Sequence, residues 1–502
     1  MPFCSSRHTF LLHPRTCFLA GDGETTTPTI SVLQLLLISS TSAYNWLGIT
    51  CHNISHQIQA INLTRRGLAG SLAPHLGNLS ALTVLDLDYN FFAGSFPPQL
   101  SGCVSLEILQ LMRNNLTGLI PSQLATLFSL RVLALAYNDF TGHIPSTLFA
   151  NSTSLKVLDI SRNFLTGEIP SDLPSSLTVV AFYENNLTGG IPSSLGNCTQ
   201  LLTRDLSENQ LTNRIPSELG HLTSLYALHL SANNLVGTIP MSLCNLTSLA
   251  YFALTCTLLT GPIPPNLGLL SKLQTLQLYK NELAGSIPKS LVNCSELTLL
   301  ELQYNHLSGL IPMGIGSLTH IQIIRFTENN LTGALPLSIG NCTRFTSLGL
   351  DINRFTGLLP AEITQLGLLE VLKLSTNHLS GQMALPSSSN SSRLYFLDLY
   401  SNHFTGAIPT ELGRLQQLQV LDLSSNGFSG EIPWDSLFNC SELYGIDMSN
   451  NLLTGIIPSS FAKLPVLQVL TLSLNLLHGG IVVMGEASGA LLFYNWIFHT
   501  IN

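Results

Sequence analysis

The stretch Leu297–His320, LTLLELQYNHLSGLIPMGIGSLTH, is written again and again along the chain with small changes. A fixed period of about 20 to 30 residues builds a solenoid, because each repeat is one supersecondary unit that buries its apolar side only against its neighbours. Leu300 and Leu302 stand two apart, which is strand alternation. They are expected to point inward, with Glu301, Gln303 and Tyr304 facing solvent, giving one short strand per repeat. Asn305 follows where the chain must turn. Its amide offers donors and an acceptor to backbone groups that a bent, buried segment leaves unpaired, so stacked asparagines should form an internal ladder. Leu307 and Ile311 return to the core, Gly309 permits a bend, and Pro312 fixes φ as the chain starts back along the outer side. Ile315 and Leu318 close the core there.

With Asn305 as a register mark, about eighteen copies appear at a spacing of about 24 residues, well beyond the three or so that a stable array needs. The marks are Arg66, Asn90, Asn114, Asn138, Asn163, Asn185, Asn209, Asn233, Thr257, Asn281, Asn305, Asn329, Asn353, Asn377, Asn402, Asn426, Asn451 and Asn475. Arg66 and Thr257 alone break the asparagine column. Two residues on, every copy has Leu or Phe, and four residues on, every copy has Gly except Asn213. An Ile-Pro pair follows in most copies, as in Ile144-Pro145 and Ile408-Pro409. The fold class is therefore an α/β repeat solenoid. It is expected as a right-handed superhelix with a parallel sheet on its concave face, irregular or 3-10 arcs on its convex side, and a sheet running on the order of 80 Å across the strands.

A chain of 502 residues would ordinarily suggest several globular domains, but a solenoid grows without that limit. The 45% hydrophobic and 10% charged content suits one narrow continuous core. A net charge of −8, with no basic patch carrying interleaved aromatics, argues against nucleic acid as a partner. Of the ten cysteines, Cys103, Cys198, Cys294, Cys342 and Cys440 occupy a core column that holds leucine elsewhere, in repeats that are not adjacent. They are expected to be unpaired buried thiols. Asn-x-Ser/Thr sequons are frequent and suit a secreted glycoprotein. Candidate glycosylation sites are Asn53, Asn78, Asn115, Asn151, Asn186, Asn197, Asn245, Asn293, Asn330, Asn341, Asn390 and Asn439, while Asn62 lies between core positions on the strand face.

Residues 1–43 carry no repeat; the apolar run Ile30–Ile38 before small residues reads as a displaced signal peptide or a disordered leader. Residues 44–57 form a partial N-terminal cap, residues 58–481 the solenoid and residues 482–502 an apolar tail. In the tail, Glu486, Asn495 and His499 interrupt what would otherwise suggest a membrane span. The repeat after Asn163 runs short around Pro174, and the one after Asn377 is serine-rich and lacks Ile-Pro, so a loop should bulge there.

With the Gly-x-Ile-Pro spelling of the repeat, the segment YNWLGITCHNISHQIQAINL at residues 44–63 resembles the extracellular region of plant leucine-rich-repeat receptors, the receptor-like kinases and receptor-like proteins. Trp46, Gly48, Ile49 and Cys51 match that family's N-terminal cap, whereas Tyr44 stands where the first cap cysteine belongs. The resemblance implies a ligand-recognition ectodomain at the cell surface. Its partners would be a peptide, microbial or protein ligand and a leucine-rich-repeat co-receptor, with membrane attachment through a segment outside this chain. The runner-up is a soluble inhibitor similar to the polygalacturonase-inhibiting proteins, which have about ten repeats. A fragment of a longer receptor is the third reading.

No metalloprotease, P-loop, nucleophile-elbow or kinase signature occurs, so no catalytic residue, metal site or cofactor is assigned. His306, His378 and His403 each follow a mark by one residue, the last two as neighbours. The candidate site is the concave strand face, read one, two and four residues before each mark. One cluster there contains Asp86, Asp88, Tyr89, Gln110, Arg113, Tyr137, Arg162, Tyr183 and Glu184, and a second contains Gln277, Tyr279, Lys280, Glu301, Gln303, Tyr304, Arg325 and Glu328. Tyrosines beside arginines and carboxylates on a rigid sheet have the composition of recognition surfaces.

Overall fold

A computed structural model describes residues 47–149, 152–385, 393–458 and 463–478. The leader, Tyr44 and Trp46, the sequons at Asn151 and Asn390, most of the serine-rich loop and the apolar tail lie outside the described residues. The chain forms two units, one ending at Leu235 and the other starting at Val236.

In the N-terminal unit, strand Ile49–Cys51 pairs antiparallel with Ile58–Asn62, and from there on the pairing is parallel. Strands Val84–Asp86, Ile108–Gln110, Val132–Ala134, Val157–Asp159, Val179–Ala181, Thr203–Asp205 and Ala227–His229 follow in sequence order. The C-terminal unit repeats the arrangement from Tyr251–Ala253 to Val469–Thr471. The central residue of each strand points into the core, so Leu85, Leu109, Leu133, Leu158, Val180, Arg204 and Leu228 form one register column. Its sixth member is a guanidinium.

The asparagine ladder is present and explains the period. Asn305 Oδ1 accepts the Leu283 N–H at 3.0 Å, while Nδ2 donates to the carbonyls of Leu278 and Leu302 at 3.0 Å and of Gln303 at 3.3 Å. Each amide thus ties its own turn to the preceding repeat. At the two breaks the chain adapts. The Thr257 hydroxyl donates to Asn281 Oδ1, and the Arg66 side chain turns to solvent while its backbone N–H donates to Asn90 Oδ1 at 3.1 Å.

Most repeats carry a second strand directly after the mark, such as Asn115–Leu119 and Asp139–His143, and these pair in parallel in a second sheet. Sequence periodicity suggested one strand per repeat. The Asn-Leu-Thr-Gly stretch is short, but Leu116 is buried between exposed neighbours, which is strand alternation over three residues. Asn213, which replaces the column's glycine, sits at φ 65°, a left-handed conformation that asparagine tolerates. Single 3-10 turns follow the prolines, for example Ser122–Thr126 after Pro121.

Cys103, Cys198, Cys294, Cys342 and Cys440 are buried and free, as expected from their column. Each thiol donates to a carbonyl of an earlier repeat, Cys103 to Leu76 at 3.1 Å and Cys198 to Pro174 at 3.3 Å. Burial pushes the thiols of Cys103, Cys294, Cys342 and Cys440 up to about 11, so they are inert at neutral pH. Cys51 in the cap strand is also free.

Candidate recognition face

The residue immediately before each mark adopts the left-handed region, with φ between 52° and 60° throughout the array. The strain is offset because that residue's N–H donates across to the next repeat, Tyr89 to the Met112 carbonyl at 2.8 Å and Arg113 to that of Ala136 at 2.9 Å. One repeated dihedral at one repeated rise sends successive side chains off in the same direction. They therefore stack.

In the N-terminal unit this stack alternates arginine and tyrosine. The Arg65 guanidinium lies 4.4 Å from the Tyr89 ring centre, Arg113 lies between Tyr89 and Tyr137 at 5.2 and 4.0 Å, and Arg162 covers Tyr137 at 4.7 Å. Arg162 also ion-pairs with Glu184, which ends the column, and reaches Tyr183 at 6.0 Å. The Tyr183 hydroxyl lies 3.5 Å from that of Tyr137, and burial pushes its pKa up. Each such cation and ring contact contributes about 0.5–1 kcal/mol at an exposed site and, above all, fixes both side chains. The sequence clusters contained every member of this column except Arg65, which its position before the mark Arg66 could have revealed.

Asp88 lies beside the column and is buried, its Oδ1 accepting the Met112 N–H at 2.6 Å. Burial raises its pKa to about 6, with the charges of Asp86 and Asp159 adding to the effect. Burial likewise raises Asp159, Asp398 and Asp422. A carboxyl whose folded pKa exceeds its unfolded value stabilises the fold fully below about 3.8 and loses that contribution as pH rises through the folded value. Thermal stability is therefore expected to fall between pH 4 and about 6.5, and Asp88→Asn should remove about 3 kcal/mol of that change. Melting curves of the two proteins across this range check it; identical slopes would exclude Asp88 as a source.

The second cluster differs from its sequence reading. Glu301 and Gln303 are not on open surface, at 2% and 8% exposure, because neighbouring strands cover them. Arg325 Nη1 donates to Glu301 Oε1 at 2.5 Å and Gln277 Nε2 to Glu301 Oε2 at 2.8 Å, so the carboxylate is held from both sides. Tyr304, Lys280 and Glu328 are exposed, and Tyr279 and Arg325 are half-buried. His378 and His403 stack with ring centres 5.5 Å apart, as neighbours. No group of three or more His, Cys, Asp or Glu side chains among the described residues is arranged to hold a metal ion.

Of the sequon asparagines, Asn53, Asn78, Asn115, Asn186, Asn197, Asn245, Asn293, Asn341 and Asn439 are exposed and Asn330 is half-buried. Asn78, Asn197, Asn245, Asn293 and Asn341 end 3-10 turns, whereas Asn115, Asn186 and Asn330 open strands of the second sheet.

Parallel strands, an amide ladder and a face carrying stacked aromatic and charged side chains define a leucine-rich-repeat scaffold. The leucine rich repeat family matches residues 80–140 and 416–477, with single repeats at 154–175, 224–246, 296–318 and 393–415. The plant peptide hormone receptor RGFR1, solved in complex with RGF2, is 30% identical and superposes with a TM-score of 0.78 over 87% of this chain and 80% of its own. The Arabidopsis receptor kinase HAESA, solved with the peptide hormone IDA and the co-receptor SERK1, is 30% identical with a TM-score of 0.72 over 90% of this chain and 84% of its own. A putative leucine-rich repeat receptor-like serine/threonine-protein kinase of Arabidopsis thaliana is 44% identical over 48 residues, 10% of this chain and 5% of that protein. The chain belongs to the plant leucine-rich-repeat receptor family and corresponds to its ectodomain.

Proposed function

We propose that this chain recognises a peptide on the open face of its first sheet, as part of signalling or defence at the plant cell surface, with a second leucine-rich-repeat protein as co-receptor. The observation that carries the reading is the set of exposed tyrosines and charged side chains held at fixed spacing by the backbone ladder. Their backbone is ordered before a ligand arrives, which lowers the entropic cost of binding. The ectodomains solved with peptide hormones support it, since they share the scaffold at about 30% identity. Glycans on the exposed sequon asparagines fit the same reading. They would occupy the turns and the second sheet, leaving the first sheet clear apart from Asn62 at its start.

The test is capture of peptides from plant apoplastic fluid on the immobilised chain, followed by titration of the captured species. Replacing both Tyr279 and Tyr304 with alanine is expected to weaken binding by roughly 2 to 4 kcal/mol with the fold intact, and Thr471→Ala with Ser473→Ala by almost nothing. Equal affinity of the two variants would remove the second cluster from the contact surface and leave the Tyr89 to Glu184 column. Failure to retain any peptide would count against peptide recognition itself.

A further inference from the structure

The arginine and tyrosine column of the N-terminal unit carries a more specific statement about its ligand, and that statement rests on the peptide reading above. Arg65 and Arg113 make no ion pair among the described residues, whereas Arg162 is held by Glu184. The Tyr89 and Tyr137 rings stand 5.2 and 4.0 Å from the Arg113 guanidinium. A guanidinium fixed in this way is suited to bidentate binding of a carboxylate.

The spacing narrows the class. Arg65 and Arg113 are two repeats apart, which at about 4.8 Å per strand is about 10 Å, and the Tyr89 ring lies between their guanidiniums. A β-extended peptide returns a side chain to the same face every two residues, about 6.7 Å, which misses this interval. A polyproline II segment has three residues per turn and about 3.1 Å rise, so same-face side chains recur at about 9.3 Å. Its carbonyls have no internal partners and lie free to accept hydrogen bonds from the protein, whereas an α-helix keeps its carbonyls bonded.

We infer that the Arg65, Tyr89, Arg113 and Tyr137 column binds an acidic, proline-rich peptide in the polyproline II conformation, with carboxylates three residues apart. The peptide runs across the strands. Asn115 opens the second sheet one residue beyond the ladder asparagine, so a glycan there would border the column and the ligand approaches from the first-sheet side.

The experiment is fluorescence anisotropy with two labelled twelve-residue probes of identical composition. One is a Pro-Pro-Glu repeat; the other is an isomer with its glutamates contiguous. Binding of the first at least tenfold tighter than the second is expected, with a tenfold or greater loss in Arg113→Gln and partial recovery in Arg113→Lys, whose ammonium cannot bind bidentately. Unchanged circular dichroism shows that the variants are folded. Equal binding of the isomers, or a polyuronate oligomer displacing the peptide at equal or lower concentration, overturns the proposal. Captured apoplastic peptides that bind equally to wild type and Arg113→Gln overturn it too, while the broader peptide reading stands.

Discussion

Arg204→Leu is expected to raise the stability of the N-terminal unit by roughly 3 to 5 kcal/mol, the range associated with an uncompensated buried charge. The Arg204 side chain is 1% exposed, and its Nε, Nη1 and Nη2 have no hydrogen-bond partner. It occupies the register column filled by Val180 and Leu228 on either side. Desolvation pulls its pKa down to about 9, which still leaves the group protonated at neutral pH, in a site built for an aliphatic side chain. Leucine restores the column without overfilling it. Arg204→Lys should fall between the two, since an ammonium sheds its proton more readily on burial than a guanidinium does. Urea denaturation of the three proteins reads the order, and a loss of stability in the leucine variant would sink the account.

Asn305→Ala is expected to destabilise the C-terminal unit by about 1 to 3 kcal/mol, because it strands the buried Leu283 N–H and takes one of two amide donors from each of the Leu278 and Leu302 carbonyls, which keep Asn281 and Asn329. The effect is directional. The Leu283 N–H and the Leu278 carbonyl belong to the preceding repeat, so amide exchange should speed up there as well as in the substituted turn. A change below about 1 kcal/mol would mean that water reaches these groups once the amide is gone.

Much of this architecture was legible in the letters, since Leu300, Leu302, Asn305 and Pro312 each have one structural reason to recur. The asparagine ladder follows directly from the amide's two-sided hydrogen bonding. Three features were harder to read. Glu301 and Gln303 lie on the solvent-facing side of their strand and are still buried, because shielding depends on which side chains neighbouring repeats lay over them. The second strand was hidden because only three residues alternate. Arg204 was visible in the register, five positions before Asn209, but a pattern found by its leucines draws attention away from the place where one is missing. The candidate site was legible as composition; its stacking was not, since that follows from a shared backbone dihedral.

That dihedral bears on how such a protein diversifies. The left-handed position is held by backbone groups alone, and it accommodates Arg, Tyr, Glu, Ala, Lys, Ile, Thr, Ser, Asn and Leu in different repeats. A mutation there leaves the hydrogen-bond ladder intact and changes only what the column displays. Specificity can therefore drift repeat by repeat under selection without passing through unfolded intermediates, much as characters are exchanged on a fixed line of type.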